Sequence, residues 1–170
     1  MRVSQIKPIH FERTRRPMAD GVGNTPGCDM LRKPCHRTNT MLKWNEEYSI
    51  GNDRIDFEHR TFLGLVNEFQ LARQGGAGKN KLARMLREIA LYAKFHFCSE
   101  ENVMEDIGYP DLQAHRLQHY NLIEVLSNKM LGLDMDQYEP EEIERFLVGW
   151  FVNHVTHEDS QIGDFIRHGD

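Results

Sequence analysis

Apolar residues recur at three- and four-residue steps in four stretches of the chain, and a helix-breaking residue follows each of the first three. This pattern predicts helices over residues 53–74, 79–106, 110–131 and 140–167. Gly108 and Gly132 end the second and third stretches, and Pro110 and Pro140 suit the first position of the third and fourth helices. Strand signals are absent from the sequence. Short connections between long helices favour antiparallel neighbours, so we predict an all-α, up-down-up-down four-helix bundle.

The first forty residues differ from the rest of the chain. They hold four of the six prolines, lack apolar periodicity, and carry 8 Lys and Arg against 3 Asp and Glu. We expect residues 1–40 to be a basic, disordered tail or the product of a misassigned start codon, followed by one bundle domain over residues 41–170. The tail contains Cys28, Cys35 and His36, too few residues for a structural zinc site.

Charge and hydropathy narrow the classes of partner. Residues 41–170 carry 13 basic against 23 acidic side chains, and phosphate contacts need a clustered basic face, so we expect no nucleic-acid partner. The longest apolar run has seven residues against the roughly 20 that span a bilayer, so we expect no membrane segment. No secretory signal is recognisable, and three cysteines without a CxxC pair suit a reducing compartment. We therefore expect a cytoplasmic protein.

Histidines are the most informative residues, because six of the nine lie inside predicted helices. His96 with Glu100, and His115 with His119, are four residues apart, so each pair lies on one face of its helix. A single histidine on an apolar face is more often a core residue than a ligand. Several imidazoles converging without partners, however, would cost about 1–3 kcal/mol for each unpaired group, and metal coordination removes that cost.

The types and the number of candidate ligands limit which metal ions could bind. Imidazole together with carboxylate suits iron, manganese or zinc, and about seven candidates exceed the four ligands of a structural zinc, so two metals fit better. Two metals require bridging carboxylates, and Glu100 is one candidate. The fourth helix offers two more: Glu158 shares the face of His154 in an ideal helix, whereas Asp159 lies about 140° away.

Four motifs carry these residues in order: IDFEH, HFCSEENVM, YPDLQAHRLQHY and WFVNHVTHED. Together they resemble the bacterial hemerythrins, and the match runs from Met41 to about Arg167. The resemblance implies two iron ions bridged by carboxylates and by hydroxide or oxide. Its ligand assignment puts His115, His119 and His154 on one iron, His59 and His96 on the other, and Glu100 and Asp159 across both.

The position of the family's carboxylate, five residues after the histidine of the fourth helix, selects Asp159 over Glu158. A regular helix cannot place a ligand at that spacing on the same face, so we predict a π-bulge between His154 and Asp159. We then expect His157 and Glu158 to face solvent.

The same resemblance implies reversible binding of dioxygen, for oxygen storage, transport or delivery, rather than enzymatic turnover. An oxygen-consuming enzyme is the partner that such a role would serve. The apolar walls of the dioxygen pocket are expected from five residues: Phe62, Leu63, Phe97, Phe151 and Val155.

Two other classes stay open. A di-iron oxidase or peroxidase is the main alternative, but five neutral imidazoles favour oxygen activation less than carboxylate-rich sites do. A sensor or interaction module for oxygen or iron is the third class, and the basic tail is its only candidate contact.

Overall fold

The computed structural model describes residues 41–169 and folds them into an antiparallel four-helix bundle. Its helices are α1 (Asp53–Gln74), α2 (Lys79–Asp106), α3 (Leu112–Asp134), α4 (Pro140–Asn153) and α5 (Ser160–His168). A π-helical segment, His154–Asp159, joins α4 to α5, so these three pieces form the fourth helix of the bundle. Helix α2 packs against α1 and α3, and α4 packs against α1. The expected tail, including Cys28, Cys35 and His36, lies outside the described residues.

Within residues 41–169 there is no β-strand, as the sequence pattern predicts. None of the helices in this range combines the length and the apolar character needed to cross a bilayer.

The predicted bounds of the first two helices, and the start of the fourth, are confirmed. Asn52 caps α1 with its side-chain oxygen, which accepts hydrogen bonds from the amides of Arg54 and Ile55. Pro140 occupies the first turn of α4, where its missing N–H costs nothing. The Glu142 carboxylate accepts a 3.3 Å hydrogen bond from the amide that precedes this proline.

The predicted bounds of the third helix are wrong at both ends. Pro110 lies in a turn, in which the Leu112 amide bonds to the Tyr109 carbonyl at 3.4 Å, so the helix begins two residues later than expected. Gly132 lies inside the helix rather than ending it. A Cβ there would overlap the Tyr138 ring, so this glycine serves packing and not helix termination.

Two apolar clusters fill the bundle interior. The larger cluster includes Phe62, Phe97 and Val155, and the smaller one includes Met104 and Ile162. Along each helix, the buried histidines and carboxylates fall between residues of the larger cluster and residues of the smaller one. The bundle therefore has a buried polar layer between two apolar layers.

The segment before α1 is held against the bundle by side chains of α1. The backbone of Leu42 exchanges two hydrogen bonds with the Asn67 side chain, at 2.9 and 2.8 Å. The amide of Ile50 donates to the Asp56 carboxylate at 2.8 Å. These bonds fix the 3-10 turn Glu46–Tyr48 and bring the carbonyl of Tyr48 over the buried polar layer.

Candidate metal centre

The structure brings all seven sequence-predicted metal ligands together in the buried polar layer. Each is at most 6% exposed, and both Glu100 and Asp159 are fully buried. Helix α1 provides one ligand, α2 and α3 provide two each, and the π segment provides two: His59; His96 and Glu100; His115 and His119; His154 and Asp159.

The ligand atoms form two overlapping groups, and within each group all atoms lie within 4.8 Å of one another. One group contains three histidines, His115, His119 and His154, and the other contains two, His59 and His96. Glu100 and Asp159 belong to both groups. A carboxylate has two oxygens, so this arrangement suits two neighbouring cations that share both acidic side chains.

The predicted π-bulge is confirmed in the fourth helix. The π helix covers His154–Asp159, and the amide of Ser160 donates to the carbonyl of Val155, five residues earlier. Because this turn is wider than an α-helical one, a residue at i+5 returns to the same face. The Nε2 of His154 and Oδ1 of Asp159 are consequently 3.1 Å apart.

The two polar residues that precede Asp159 in the π segment, His157 and Glu158, differ in their exposure to solvent. His157 is exposed, as expected. Glu158 is half-buried and only partly faces solvent, because its carboxylate accepts a 2.8 Å hydrogen bond from Nε2 of Gln118 on α3. Its carboxylate is absent from both ligand groups.

Several of the buried ligand atoms make no hydrogen bond, which leaves their lone pairs available to a cation. Six of them make no hydrogen bond within residues 41–169: Nε2 of His59, Nε2 of His115, and both carboxylate oxygens of Glu100 and of Asp159. Buried polar atoms are normally paired, and here imidazole nitrogens and carboxylate oxygens face one another at 3.3 Å, so a cation between them would give these atoms a common partner.

Distances between the ligand atoms also fit a shared cation. The Nε2 of His119 lies 3.2 Å from Oε2 of Glu100 and 3.2 Å from Nε2 of His154, and the Nε2 of His115 lies 3.3 Å from Oδ1 of Asp159. Two atoms each about 2.1 Å from one ion, and at right angles around it, would be about 3.0 Å apart. The atoms thus face a common point, and the residues present fit a pair of metal ions.

The second ring nitrogens of three histidines have hydrogen-bond acceptors, two of them buried and the third partly exposed. The Nδ1 of His59 lies 3.0 Å from the Tyr48 carbonyl. The Nδ1 of His96 lies 3.1 Å from Oε2 of Glu58, and that of His119 lies 2.9 Å from Oε1 of Glu101. A proton on Nδ1 leaves Nε2 free to bind a cation, so these acceptors select the tautomer that the site needs.

Arginines hold the two carboxylate acceptors in place. The Nε of Arg54 donates to Glu58 at 3.1 Å, and the Nε of Arg116 donates to Glu101 at 3.1 Å. Sequence reasoning missed both glutamates, although Glu58 precedes His59 and Glu101 follows Glu100 directly. Adjacent residues point about 100° apart on a helix, so ligand spacing cannot reveal them.

The pKa values of the two buried carboxylates show that the polar layer favours positive charge beside them. Burial raises the pKa of Glu100, as does the negative charge of Asp159, but the imidazoles of His115 and His119 outweigh both. The pKa of Glu100 is lowered to about 2 as a result. Burial likewise raises the pKa of Asp159, yet the charge of His154 and the imidazole of His115 hold it well below its ordinary value.

The same pairing raises the pKa of the histidine partner His115. Burial lowers the pKa of His115, but the carboxylates of Asp159 and Glu100 raise it to about 10. Protonated imidazole therefore balances the two buried carboxylates when no cation is bound. Metal ions would supply that positive charge instead, and the imidazoles would then bind in their neutral form.

A small apolar cavity adjoins the ligand cluster. Its volume is about 10 Å³, which is the space of roughly one water-sized molecule. The cavity walls contain four of the five predicted pocket residues, one missed tryptophan and three histidines: Phe62, Phe97, Phe151, Val155, Trp150, His59, His96 and His154.

Leu63, the fifth predicted pocket residue, is absent from the cavity walls and packs in the larger apolar cluster. Its neighbour Phe62 takes the position beside the cavity, where its ring lies 5.7 Å from that of Phe151 and 4.9 Å from that of Trp150. Leu63 leaves the helix about 100° away from Phe62, and at this position that direction leads into the larger apolar cluster and not to the cavity. Trp150 lies four residues before His154, and that spacing is the signal that could have identified it.

Comparisons with known proteins agree with this geometry. Residues 50–166 match the family model described as the hemerythrin HHE cation binding domain. The chain is 30% identical over 135 residues to the bacteriohemerythrin of Clostridium acetobutylicum, a match that covers 73% of this chain and 100% of that protein. It is 28% identical over 127 residues to the bacteriohemerythrin of Stenotrophomonas maltophilia, covering 75% and 82%. A crystal structure of wild-type hemerythrin is similar with a TM-score of 0.66 at 26% identity, covering 74% and 97%.

Proposed function

The chain belongs to the hemerythrin family of cation-binding proteins, and we propose that it binds dioxygen reversibly at two iron ions. In this proposal Glu100 and Asp159 would hold both ions, because they belong to both ligand groups, and a hydroxide or oxide would complete the centre. The remaining ligands divide as the two groups do: His115, His119 and His154 on the first ion, and His59 and His96 on the second.

The donor set supports iron. Five imidazoles and two carboxylates, with no thiolate among them, suit an intermediate metal such as iron. Two ferrous ions carry four positive charges, and two carboxylates and a hydroxide carry three negative ones. A net charge of about +1 is tolerable in a buried layer, where a larger uncompensated charge would not be.

The observation that carries the proposal is the position of the small cavity. Three histidines would hold the first ion and two would hold the second, with both carboxylates shared, so an open coordination position would belong to the second ion. Both histidines assigned to that ion, His59 and His96, lie in the cavity wall, whereas only His154 of the three histidines assigned to the first ion does. Ferrous iron supplies the electrons and the open coordination position that reversible dioxygen binding requires.

The chain's own residues keep this position dry. Phe62 and Phe151 stack with their ring planes 3° apart, and Val155 adds a branched apolar side chain to the same wall. Apolar walls offer no hydrogen bonds to entering water, so they slow the oxidation that water promotes.

The size of the cavity favours a carrier over an enzyme. A volume of about 10 Å³ admits a very small molecule and leaves no room for an organic substrate. We therefore propose oxygen storage, transport or delivery, with an oxygen-consuming enzyme as the recipient.

The test is an optical titration of the full chain loaded anaerobically with ferrous iron. A charge-transfer band that appears with oxygen, disappears on degassing and returns over repeated cycles supports reversible binding. A band that decays irreversibly, with consumption of oxygen at each cycle, would assign the chain to the oxidases instead.

A further inference from the structure

A second, larger cavity lies on the surface between α3 and α4, outside the ligand cluster. This α3/α4 cleft shares only His154 with the ligand cluster, and its volume of about 730 Å³ is within the usual range for small-molecule sites of about 300–1,000 Å³. Residue 145 is separated from residue 158 by 13 helical steps, so the cleft extends for about 20 Å along α4 and the π segment. Nothing in the proposed dioxygen chemistry uses it.

Two aromatic side chains, Phe146 and Trp150, line the cleft, and we call the surface that they form its aromatic floor. The rings of Phe146 and Trp150 are parallel within 11°, with centroids 6.3 Å apart, and both residues line the cleft. Gly149 lies between them in the chain and lines the cleft as well. A flat aromatic ring system is the ligand shape that such a floor accommodates.

Gly149 is not required by the packing of the bundle. An interior helix glycine costs about 1 kcal/mol relative to alanine and usually has a packing reason, which Gly132 and Gly163 both have. A Cβ at Gly149 would meet no atom within 4 Å, so the missing side chain leaves open space. Gly64 on α1 is equally open but does not line the cleft, which makes it a matched control.

Polar groups around the floor define the charge of the ligand. Arg145 is exposed at the α4 end, and no ion pair within the described residues engages its guanidinium. Glu158 is the one carboxylate in the lining; it lies at the opposite end, where Gln118 donates to it. An unpaired guanidinium favours a phosphate or carboxylate, which it can bind through two parallel hydrogen bonds.

We propose that the α3/α4 cleft binds a planar aromatic anion, with its ring over Phe146 and Trp150 and its negative group at Arg145. Trp150 and His154 line both this cleft and the inner cavity, so they form the wall between the two. A ligand in the cleft thus contacts the outer side of a residue that belongs to the three-histidine group. Binding in the cleft does not rest on the proposed iron or dioxygen chemistry.

Flavin mononucleotide is the probe for this site, because it joins a planar ring system to a phosphate and its fluorescence is quenched on stacking. Titrated with the purified full chain, it should bind with a dissociation constant below about 100 µM. Riboflavin, which has the same ring system and no phosphate, should bind at least about tenfold more weakly. Arg145→Gln should weaken binding of the mononucleotide about tenfold and leave that of riboflavin unchanged.

Gly149→Leu fills the space above the aromatic floor and should abolish binding of both flavins, whereas Gly64→Leu should bind like the parent. Circular dichroism checks that each variant keeps the helical content of the parent. The proposal is overturned if the mononucleotide leaves the parent chain unquenched, if Gly149→Leu binds like Gly64→Leu, or if Arg145→Gln has no effect. No step of the test needs iron, so its outcome is separate from that of the oxygen titration.

Discussion

Replacing Glu58 with glutamine should weaken one of the two proposed iron sites and spare the other. The Glu58 side chain is 4% exposed, and its Oε2 lies 3.1 Å from Nδ1 of His96. Burial raises the pKa of Glu58, but hydrogen bonds from His96 and Ser99 lower it below its ordinary value. The carboxylate is therefore charged at neutral pH and orients the imidazole that the two-histidine site uses.

Loss of such a partner typically weakens metal binding by 10- to 100-fold, which corresponds to about 1.4–2.8 kcal/mol. Glutamine has the shape of glutamate and an acceptor oxygen, so the substitution removes the charge and little else. Arg54 loses an ion-pair partner, but its side chain is 59% exposed and water replaces that contact at little cost. The expected effect is consequently confined to the ion held by His59 and His96.

The assay is an anaerobic titration with ferrous iron against a competing chelator, which resolves the two dissociation constants. Glu101→Gln is the matched control, because Glu101 faces His119 of the other group and its side chain is 24% exposed. That variant should weaken the other ion, and by less. A Glu58→Gln chain that binds both ions as tightly as the parent would refute the reasoning, as would an equal loss at both sites.

Four further predictions concern the stability of the fold and the shape of the site. Gly163→Ala should lower the free energy of unfolding by about 1–3 kcal/mol, because its Cβ would lie 2.8 Å from the carbonyl oxygen of Ile50. Gly149→Ala, where the space is open, should raise it by up to about 1 kcal/mol; urea denaturation measures both, and effects of the same sign would contradict the packing analysis. Deleting the exposed His157 should convert the π segment into regular α-helix, because a π-bulge holds one extra residue. Asp159 would then follow His154 by four positions, so the iron content should stay at two ions per chain. A lower iron content would contradict this origin of the bulge. The lowered pKa of Glu100 implies a carboxylate that stabilises the metal-free fold above pH 4.5, a contribution lost as the pH falls through about 2. Urea titrations should show that loss in the parent, and a Glu100→Gln chain with an equally steep loss would exclude it.

Hydrophobic periodicity predicted the bundle because every helix has one buried face, and the first two helices begin and end where the pattern does. The bounds of the third helix differ from the prediction because its glycine and its proline each serve a purpose other than ending or starting a helix. Gly132 makes room for the Tyr138 ring within the helix, and Pro110 shapes a turn before it. A sequence pattern alone does not separate these uses from helix termination and initiation.

Four of the candidate ligands could be selected from sequence because they form two pairs that are four residues apart on one helix face: His96 with Glu100, and His115 with His119. Asp159 could not be selected by spacing, since its separation from His154 points away from the site in an ideal helix. The resemblance to a known family selected it, and the π segment supplies the physical explanation.

The acceptors behind the histidines could not be predicted in the same way. The Tyr48 carbonyl belongs to the backbone, and its position depends on the segment before α1 folding against the bundle. Glu58 and Glu101 face histidines on neighbouring helices, at sequence separations of 38 and 18 residues. Such contacts depend on how helices pack, which periodicity within one helix does not determine.

The most direct test of the central claim is an anomalous difference map from crystals of the iron-loaded full chain, measured on either side of the iron absorption edge. The account predicts two iron peaks per chain within the buried polar layer. One peak should contact His115, His119 and His154, the other should contact His59 and His96, and both should contact Glu100 and Asp159. A single peak, or a map in which these side chains turn away from the iron, would contradict it.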